Sequence, residues 1–190
     1  MKLPSVQPRT PAKGKLLLSE PMLQDPNFRR TVVLLCEHSP DGSFGLIINK
    51  PIPITLDEVM PGQSLPEIPL FLGGPVQPDT LHILHKLGEA IAGSVEVTPG
   101  VWWGGDFEEI RQMLTLGVAD GADCRFFIGY SGWAEGQLQD EMNQGGWLVA
   151  DNRPGYSFTE DPDHLWRQIL RDMGGDYSIL SNFPENPKMN

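Results

Sequence analysis

Histidine side chains are the natural starting point for proton-transfer chemistry, because their charge changes near neutral pH. The 190 residues include four histidines, and two of them, His38 and His85, end apolar runs. Either could act as a general base beside Glu37 or Glu141 if the fold brings them together in a cleft. The alternative is a structural role, with His38 hydrogen-bonded to Asp41 or to turn backbone and His85 hydrogen-bonded in the core. The pattern favours the structural role, and both residues stay as catalytic candidates.

Residues 129–133, Gly-Tyr-Ser-Gly-Trp, carry part of the pattern of a serine-hydrolase nucleophile elbow. The elbow requires a small residue two positions after the serine, and Trp133 occupies that position after Ser131. The spacing therefore disfavours a serine hydrolase. The glycines instead predict a tight backbone bend with the rings of Tyr130 and Trp133 packed under it.

The two cysteines, Cys36 and Cys124, lie far apart in apolar surroundings and form no Cys-x-x-Cys pair. Cys36 and His38 are two apart on an expected strand, so their side chains should share a face, with Glu37 on the other. A metal site there would need ligands from elsewhere in the chain. We expect no metal centre, no cofactor and two buried thiols in a reducing compartment.

Several polar and turn residues are candidates for a binding face. Gln137 and Glu141 are four apart on an expected helix next to Trp133, which is how a small-ligand pocket is often built, although a solvated helix face explains them equally well. Trp102 and Trp103 point to opposite faces of a strand, so one ring is a candidate protein-contact anchor. The predicted ligand or partner face consists of Glu37, His38, Asn49, Lys50, Gly73, Gly74, Pro75, Tyr130, Trp133, Gln137 and Glu141.

Short strands and turns must position these residues. The 21 glycines and 18 prolines are about a fifth of the chain, against roughly 12% in ordinary proteins. Pro-Asp-Gly between apolar runs at 31–38 and 44–49 predicts a β-hairpin. Pro51 and Pro53 should end the second strand. Further strands are predicted at 16–18, 70–72, 81–85, 95–98, 101–103, 124–130 and 147–150.

Capping patterns predict four helices. Thr55 with Glu58, and Asp106 with Glu109, have capping-box spacing. A third helix is expected at 136–143, and a fourth begins at 161–162, Asp-Pro, and stops at 174–175, Gly-Gly. About eight strands and four helices with short links predict one α+β domain over 14–181, with a flexible arm at 1–13 and a tail at 182–190.

The charge balance limits the choice of partners. Fourteen basic and 25 acidic residues give a net charge of −11, and the basic excess is confined to the first 30 residues. An acidic body repels phosphate backbones, so direct DNA binding is disfavoured. The alternative is weak nucleic-acid binding through the arm, with Lys13, Lys15, Arg29 and Arg30 on one surface. No apolar run is long enough to cross a bilayer, and we expect a cytoplasmic protein without membrane contact.

Several segments in fixed order make the sequence similar to the AlgH/YqgE family of bacterial proteins. They span about residues 14–180, nearly the whole chain, and their order is more specific than any one of them. The segments are residues 18–28, 37–38, 45–51, 72–76, 84–85, 129–133 and 136–138, with Glu141 and Trp147. The sequence departs from the family pattern at Ser131, where Ala is common, and at 182–185, where a Gly-His-Ala-like segment is replaced.

The resemblance implies a single α+β domain in which a bifurcated, mostly antiparallel sheet forms a pseudo-barrel flanked by helices. It also implies a transcriptional-regulator label without an established activity. Our leading hypothesis is a non-enzymatic binding or regulatory protein that acts indirectly, through an unknown protein or small molecule. The alternatives are an enzyme that uses His38 or His85 as a general base, and nucleic-acid binding through the arm.

Overall fold

Apolar runs separated by glycine and proline turns form ten strands in the computed structural model, which describes residues 9–184. The predicted hairpin is confirmed as β2 and β3, which pair around the Pro-Asp-Gly turn. The strands are β1 Leu16–Ser19, β2 Val32–Ser39, β3 Gly42–Ile47, β4 Pro51–Thr55, β5 Pro69–Leu72, β6 Val76–His85, β7 Ser94–Thr98, β8 Val101–Gly104, β9 Cys124–Ala134 and β10 Trp147–Ala150.

Five α-helices lie between the strands or after them, and the four predicted ones are all present. The Asp106 side chain accepts from the Glu109 amide at 3.1 Å, which confirms that cap. The Thr55 capping box is also formed. The helices are α1 Leu56–Val59, α2 Phe107–Thr115, α3 Gln137–Asn143, α4 Pro162–Met173 and α5 Gly175–Leu180. No helix in residues 9–184 is long and apolar enough to cross a membrane.

The sheet branches at β9. Its main path runs β10-β1-β2-β3-β9-β6-β8-β7, and β5 joins β9 in parallel while pairing with β4 on its other side. The bifurcated, mostly antiparallel sheet of a single α+β domain is therefore confirmed. The sheet curls without closing into a barrel, because its path ends at β10 and β7. Gly14, just before β1, lies so near β7 that a Cβ would be 2.7 Å from the Val97 carbonyl oxygen.

Alternation along the strands gives the sheet two apolar faces. The inner face of the curl carries Leu16, Leu34 and Phe127, which are buried in one cluster with Trp166 of α4. The outer face near β1–β3 carries a second cluster that includes Leu17, Val33, Ile47, Trp133 and Trp147. A third cluster, which includes Leu56, Ile68 and Ile110, forms under α1 and α2. Helix α4 covers only part of the inner face, and the candidate site lies on the remainder.

Three features differ from the expectations. The second strand ends before Pro51 and Pro53 as expected, since β3 ends at Ile47, but the prolines also lie in a strand that the sequence did not predict. Strand β4 pairs on one side only, and an edge strand tolerates proline. Residues 129–133 do not form the expected tight bend, because β9 continues through them to Ala134. The positive φ of Gly129, +67°, is a local irregularity within the strand. Strand β4 and helix α5 have no predicted counterpart, so residues 9–184 form ten strands and five α-helices against nine predicted strand segments and four predicted helices.

A β-bulge reverses the expected facing of the β2 tip. The register of β2 and β3 shifts between Leu35 and Glu37, so that Glu37 lies opposite Phe44 and His38 lies opposite Ser43. Phe44 packs against the cluster that contains Cys36. Glu37, not His38, therefore shares a face with Cys36, because a bulge adds one residue to a strand and reverses the facing of the residues after it.

The predicted arm and tail lie partly outside the described residues, at 1–8 and 185–190. Within the described part, Pro11 is buried and Arg9 forms an ion pair with Asp151 at 3.5 Å.

Candidate ligand-binding groove

A groove of about 760 Å³ opens on the inner face, at the mouth of the curled sheet. Its volume lies within the range of roughly 300–1,000 Å³ typical of ligand pockets. The tip of the β2–β3 hairpin forms one wall, and β6 and β9 contribute Val76 and Tyr130. Four predicted residues border it, namely Glu37, His38, Tyr130 and Trp133.

Phe44 and Tyr130 line the groove, and two further aromatic side chains, His82 and Trp103, pack against Phe44. We call Phe44, His82, Trp103 and Tyr130 the mouth cluster. The Phe44 ring is 4.7 Å from Trp103, 4.9 Å from Tyr130 and 5.3 Å from His82, measured between centroids. All four residues are only half-buried. Since α4 does not cover this part of the inner face, the mouth cluster is the exposed continuation of the core.

Three polar groups of the mouth cluster remain available for hydrogen bonds to a ligand. The Tyr130 hydroxyl and the Trp103 indole N–H have no hydrogen-bond partner within residues 9–184. His82 Nε2 is 3.1 Å from the Thr80 hydroxyl, which itself donates to the Gln77 carbonyl, so Nε2 carries the proton that Thr80 accepts. Burial lowers the pKa of His82, which keeps the imidazole neutral and leaves its Nδ1 as an acceptor.

Gly132 keeps the groove open opposite Phe44. The two residues are paired across β3 and β9, and the Tyr130 ring lies over Gly132, where a Cβ would be 3.1 Å from its Cε2. Gly132 has no positive φ, so its lack of a side chain makes space without serving an unusual backbone conformation.

A second aromatic group lies on the outer face and contains three of the predicted residues. We call Trp133, Gln137, Glu141 and Trp147 the indole clamp. Glu141 accepts from the Trp133 indole at 2.9 Å, from the Trp147 indole at 2.7 Å and from the Gln137 amide at 2.9 Å. Gln137 also accepts from the Ala134 backbone N–H at 3.0 Å. Gln137 and Glu141 therefore hold α3 against β9, and both indole rings are only 5% exposed.

Asn49 and Lys50 hold the loop between β1 and β2. The buried Asn49 side chain accepts from the Val32 N–H at 2.8 Å and donates to the Arg30 carbonyl at 2.9 Å. Lys50 Nζ donates to the Asn27 carbonyl at 2.8 Å, and burial lowers the pKa of Lys50 despite the opposing effect of Asp25. Neither residue lines the groove.

Gly73 and Gly74 form the branch point of the sheet rather than a ligand loop. A Cβ at either position would overlap backbone of β9, at the Gly129 carbonyl for Gly73 and at the Tyr130 carbonyl for Gly74. Ser131 donates to the Gly73 carbonyl at 3.1 Å and is fully buried. Pro75 is exposed directly beyond this crossing and does not line the groove.

His85 is sealed in the interior. Its Nδ1 accepts from the Leu87 N–H at 3.3 Å, and its Nε2 reaches the Gly104 carbonyl at 3.2 Å and the Ser94 hydroxyl at 3.0 Å. An amide can only donate and a carbonyl can only accept, so the neutral Nε2–H tautomer is fixed. Burial lowers the pKa of His85, with the Gly104 carbonyl opposing. With its Nδ1 lone pair occupied, His85 has no open position for a substrate proton.

His38 is exposed at the groove rim, and its Nδ1 is 2.7 Å from the Ser43 hydroxyl rather than bonded to Asp41. His38, His85 and Gln137 therefore do not meet. Sequence reasoning missed Phe44 and His82, assigned Lys13 only to a nucleic-acid surface, and named Trp103 only as one of two candidate contact rings. The alternating pattern of β3 and β6 could have found Phe44 and His82, but their meeting depends on β9 lying between those strands.

The cysteines and carboxylates show no reactive or metal-binding arrangement. Both thiols are buried and unpaired, and burial raises the pKa of Cys124 to about 12 and that of Cys36 as well. Within residues 9–184, no group of three or more His, Cys, Asp or Glu side chains is arranged to hold a metal ion.

A branched α+β sheet with an aromatic groove at its mouth is the type of domain that these observations define. The family model described as AlgH-like matches residues 16–178, and the chain belongs to this family. A UPF0301 protein of Chlorobaculum tepidum is 46% identical over 177 residues, covering 93% of this chain and 95% of that protein. A UPF0301 protein of Cytophaga hutchinsonii is 45% identical over 179 residues, covering 94% and 98%.

Two solved structures have the same fold. The solution structure of the AlgH protein from Pseudomonas aeruginosa has a TM-score of 0.73 at 27% identity, covering 95% of this chain and 100% of that one. A crystal structure of a Corynebacterium diphtheriae protein has a TM-score of 0.75 at 22% identity, covering 95% and 97%. These similarities establish family and fold.

Proposed function

We propose that the protein is a non-enzymatic binding protein whose ligand or partner occupies the groove at the mouth cluster. The observation that carries this proposal is the half-buried state of four aromatic side chains that meet around Phe44 on the uncovered part of the inner face. Aromatic rings with open polar ends are enriched at contact surfaces, because they combine apolar area with a hydrogen-bonding tip. The protein would act in the cytoplasm, where unpaired thiols such as Cys36 persist.

A regulatory role, as the AlgH resemblance suggests, would be indirect. Three of the basic residues near the N-terminus already have protein partners: Lys15 and Arg9 pair with Asp151, and Arg30 lies over the Trp166 ring at 5.0 Å and donates to the Phe183 carbonyl at 2.5 Å. Phosphate binding would have to compete with these contacts and with the net charge of −11. These features support action through a bound partner rather than through DNA.

Solvent mapping by NMR tests the binding role. Phenol, a neutral probe with an apolar ring, is titrated into the ¹⁵N-labelled full chain, and we expect the amide shifts to cluster at Phe44, Tyr130 and Gly132. Leu116 and Val118 are the internal control, because they are 77% and 66% exposed and lie after α2. Gly132→Val, which fills the groove, should abolish the cluster of shifts. Shifts that simply follow exposed apolar area, largest at Leu116 and Val118, would contradict the proposal.

The second candidate is an enzyme in which His38 is a general base. The observation in its favour is the 2.7 Å contact between His38 Nδ1 and the Ser43 hydroxyl at the groove rim. A fluorophosphonate probe distinguishes it: covalent labelling that is lost in Ser43→Ala and in His38→Gln would establish this enzyme. Absence of labelling at Ser43 would leave the binding role.

A further inference from the structure

We propose that the occupant of the groove is a basic, proline-rich segment of a partner polypeptide, bound as a polyproline II helix with an Arg or Lys beside Glu37 and Asp41. This inference rests on the proposed function and deepens it by naming the chemistry of the partner. Charge, the pairing of the groove floor and the open polar groups of the mouth cluster lead to it in turn.

The charges on the groove favour a cation. Glu37 and Asp41 line it, and neither forms an ion pair with another residue in 9–184. Lys13 is the single Lys or Arg among the described lining residues, so carboxylates exceed ammonium groups at the rim. The net charge of −11 adds a long-range field of the same sign. A basic segment is thus both attracted to the groove and paired within it.

Strand β3, which lines the groove, cannot bind a ligand by strand addition. Strand β3 is paired with β2 on one side and with β9 on the other along Gly42–Gly45, so its backbone groups are already used. A ligand segment must therefore bind through side chains and carbonyls. Polyproline II suits this geometry, because its backbone makes no internal hydrogen bonds and needs no ladder, and it packs on aromatic rings.

The mouth cluster has the groups that such a segment requires. The Phe44 and Tyr130 rings are 4.9 Å apart and form an apolar platform for proline rings and for a cation over a ring face. The hydroxyl of Tyr130, a lining residue of the groove, has no partner within residues 9–184. It can donate to an exposed carbonyl of a polyproline II segment.

Three peptides test this inference against the full-length chain by fluorescence anisotropy. They are labelled acetyl-Pro-Pro-Arg-Pro-Pro-amide, the same peptide with Gln in place of Arg, and a version with Gly in place of every Pro. We expect the Arg peptide to bind about tenfold more tightly than either of the others, since it loses neither the ion pairs nor the preformed helix.

Matched variants separate local pairing from net charge. Glu37→Gln with Asp41→Asn should weaken the Arg peptide about tenfold and leave the Gln peptide unchanged, since two surface pairs are each worth up to a few-fold in affinity. Glu67→Gln with Glu89→Gln removes the same charge from exposed positions outside the groove and should change affinity less than about twofold. Gly132→Val should abolish binding of all three peptides.

The outcomes distinguish this inference from the proposed function. Equal affinity for the Arg and Gln peptides, or equal weakening by the two double variants, would overturn the basic segment as occupant. If phenol maps to the groove while no peptide binds, the binding role stands and the partner class is wrong. If phenol also fails to map there, both proposals fall.

Discussion

The mouth cluster and the indole clamp are two aromatic groups that share strand β9 and lie on opposite faces of the sheet, and their polar groups are in opposite states. In the clamp, Glu141 satisfies two indole N–H groups and an amide, and both rings are buried. In the mouth cluster, the rings touch while the Tyr130 hydroxyl and the Trp103 N–H have no partner in residues 9–184. Aromatic content alone therefore does not mark a site; unsatisfied polar ends on an uncovered face do.

The two groups diverge because of their positions on β9. Tyr130 and Trp133 are three residues apart, an odd separation that places their side chains on opposite faces of a strand. The branch point at Gly73 and Gly74 contacts the β9 backbone from Gly129 to Ser131, beside Tyr130 and before Trp133. It lets one strand serve both the groove and the clamp.

The largest expected effect is at that branch point, on which both groups depend. Gly74→Ala should cost at least about 4 kcal/mol of unfolding free energy or prevent folding, because its Cβ would overlap the Tyr130 backbone. Gly100→Ala is the control, since it also has a positive φ, +78°, but open space, and should cost about 1 kcal/mol. Urea denaturation measures both. Similar losses would mean that the crossing is not tightly packed.

Loss of the clamp carboxylate should be the next largest effect. Glu141→Ala leaves two buried indole donors without an acceptor and should cost about 3 kcal/mol. Gln139→Ala, on the same helix, removes only an exposed bond to Asn143 and should cost less than about 0.5 kcal/mol. A Glu141→Ala protein as stable as the Gln139→Ala protein would contradict the contrast between clamp and mouth.

Substitutions that remove one polar group each extend the comparison between the clamp and the mouth cluster. Trp133→Phe removes an indole donor that Glu141 accepts and should cost about 1–2 kcal/mol. Tyr130→Phe removes a hydroxyl with no partner in residues 9–184 and should change stability by less than about 0.5 kcal/mol. Chemical denaturation of the two variants is the measurement. Equal costs would show that the Tyr130 hydroxyl is as engaged as the Trp133 indole.

The smallest expected effect is a pH dependence at the mouth cluster. Burial lowers the folded-state pKa of His82 below its ordinary value of 6.5. The unfolded chain therefore binds more protons between the two pKa values, and the contribution of His82 is complete above about pH 6.5 and is lost as the pH falls through the folded value. The groups that face it are Thr80, Phe44 and Tyr130.

His82→Gln tests this dependence by difference. The stability gap between wild type and His82→Gln should be larger at pH 7 than at pH 5, because the wild type loses the contribution of the neutral imidazole on acidification. Gln139→Ala serves as the control variant, because that exposed side chain does not titrate and lies on α3, away from the mouth cluster. A gap that does not change with pH, or that grows on acidification, would contradict a buried neutral His82.

Local patterns can be predicted from the sequence where the chemistry is local. The Pro-Asp-Gly hairpin, the Asp106 cap and the amphipathic α4 are all predictable, because turn geometry, capping and periodicity involve neighbouring residues. Edge position, which makes Pro51 acceptable in β4, depends on which strands meet. Neighbouring residues carry no information about it.

The site is only partly predictable for the same reason. Glu37, His38 and Tyr130 are predicted on the binding face, and all three border the groove. Gln137 and Glu141 are grouped correctly with Trp133, but Trp147, which completes the clamp, comes from a strand at the far end of the sheet path. The bulge that turns Glu37 toward Phe44 leaves no signature in the sequence.

Solvent exchange of the five indole N–H protons tests the central contrast most directly. Trp133, Trp147 and Trp166 donate to Glu141 or to the Ser19 carbonyl, so their ¹⁵N–¹H resonances should be protected against deuterium exchange. Trp102 and Trp103, which have no acceptor in residues 9–184, should exchange at once. Equal protection of all five indoles would contradict an open mouth and a closed clamp.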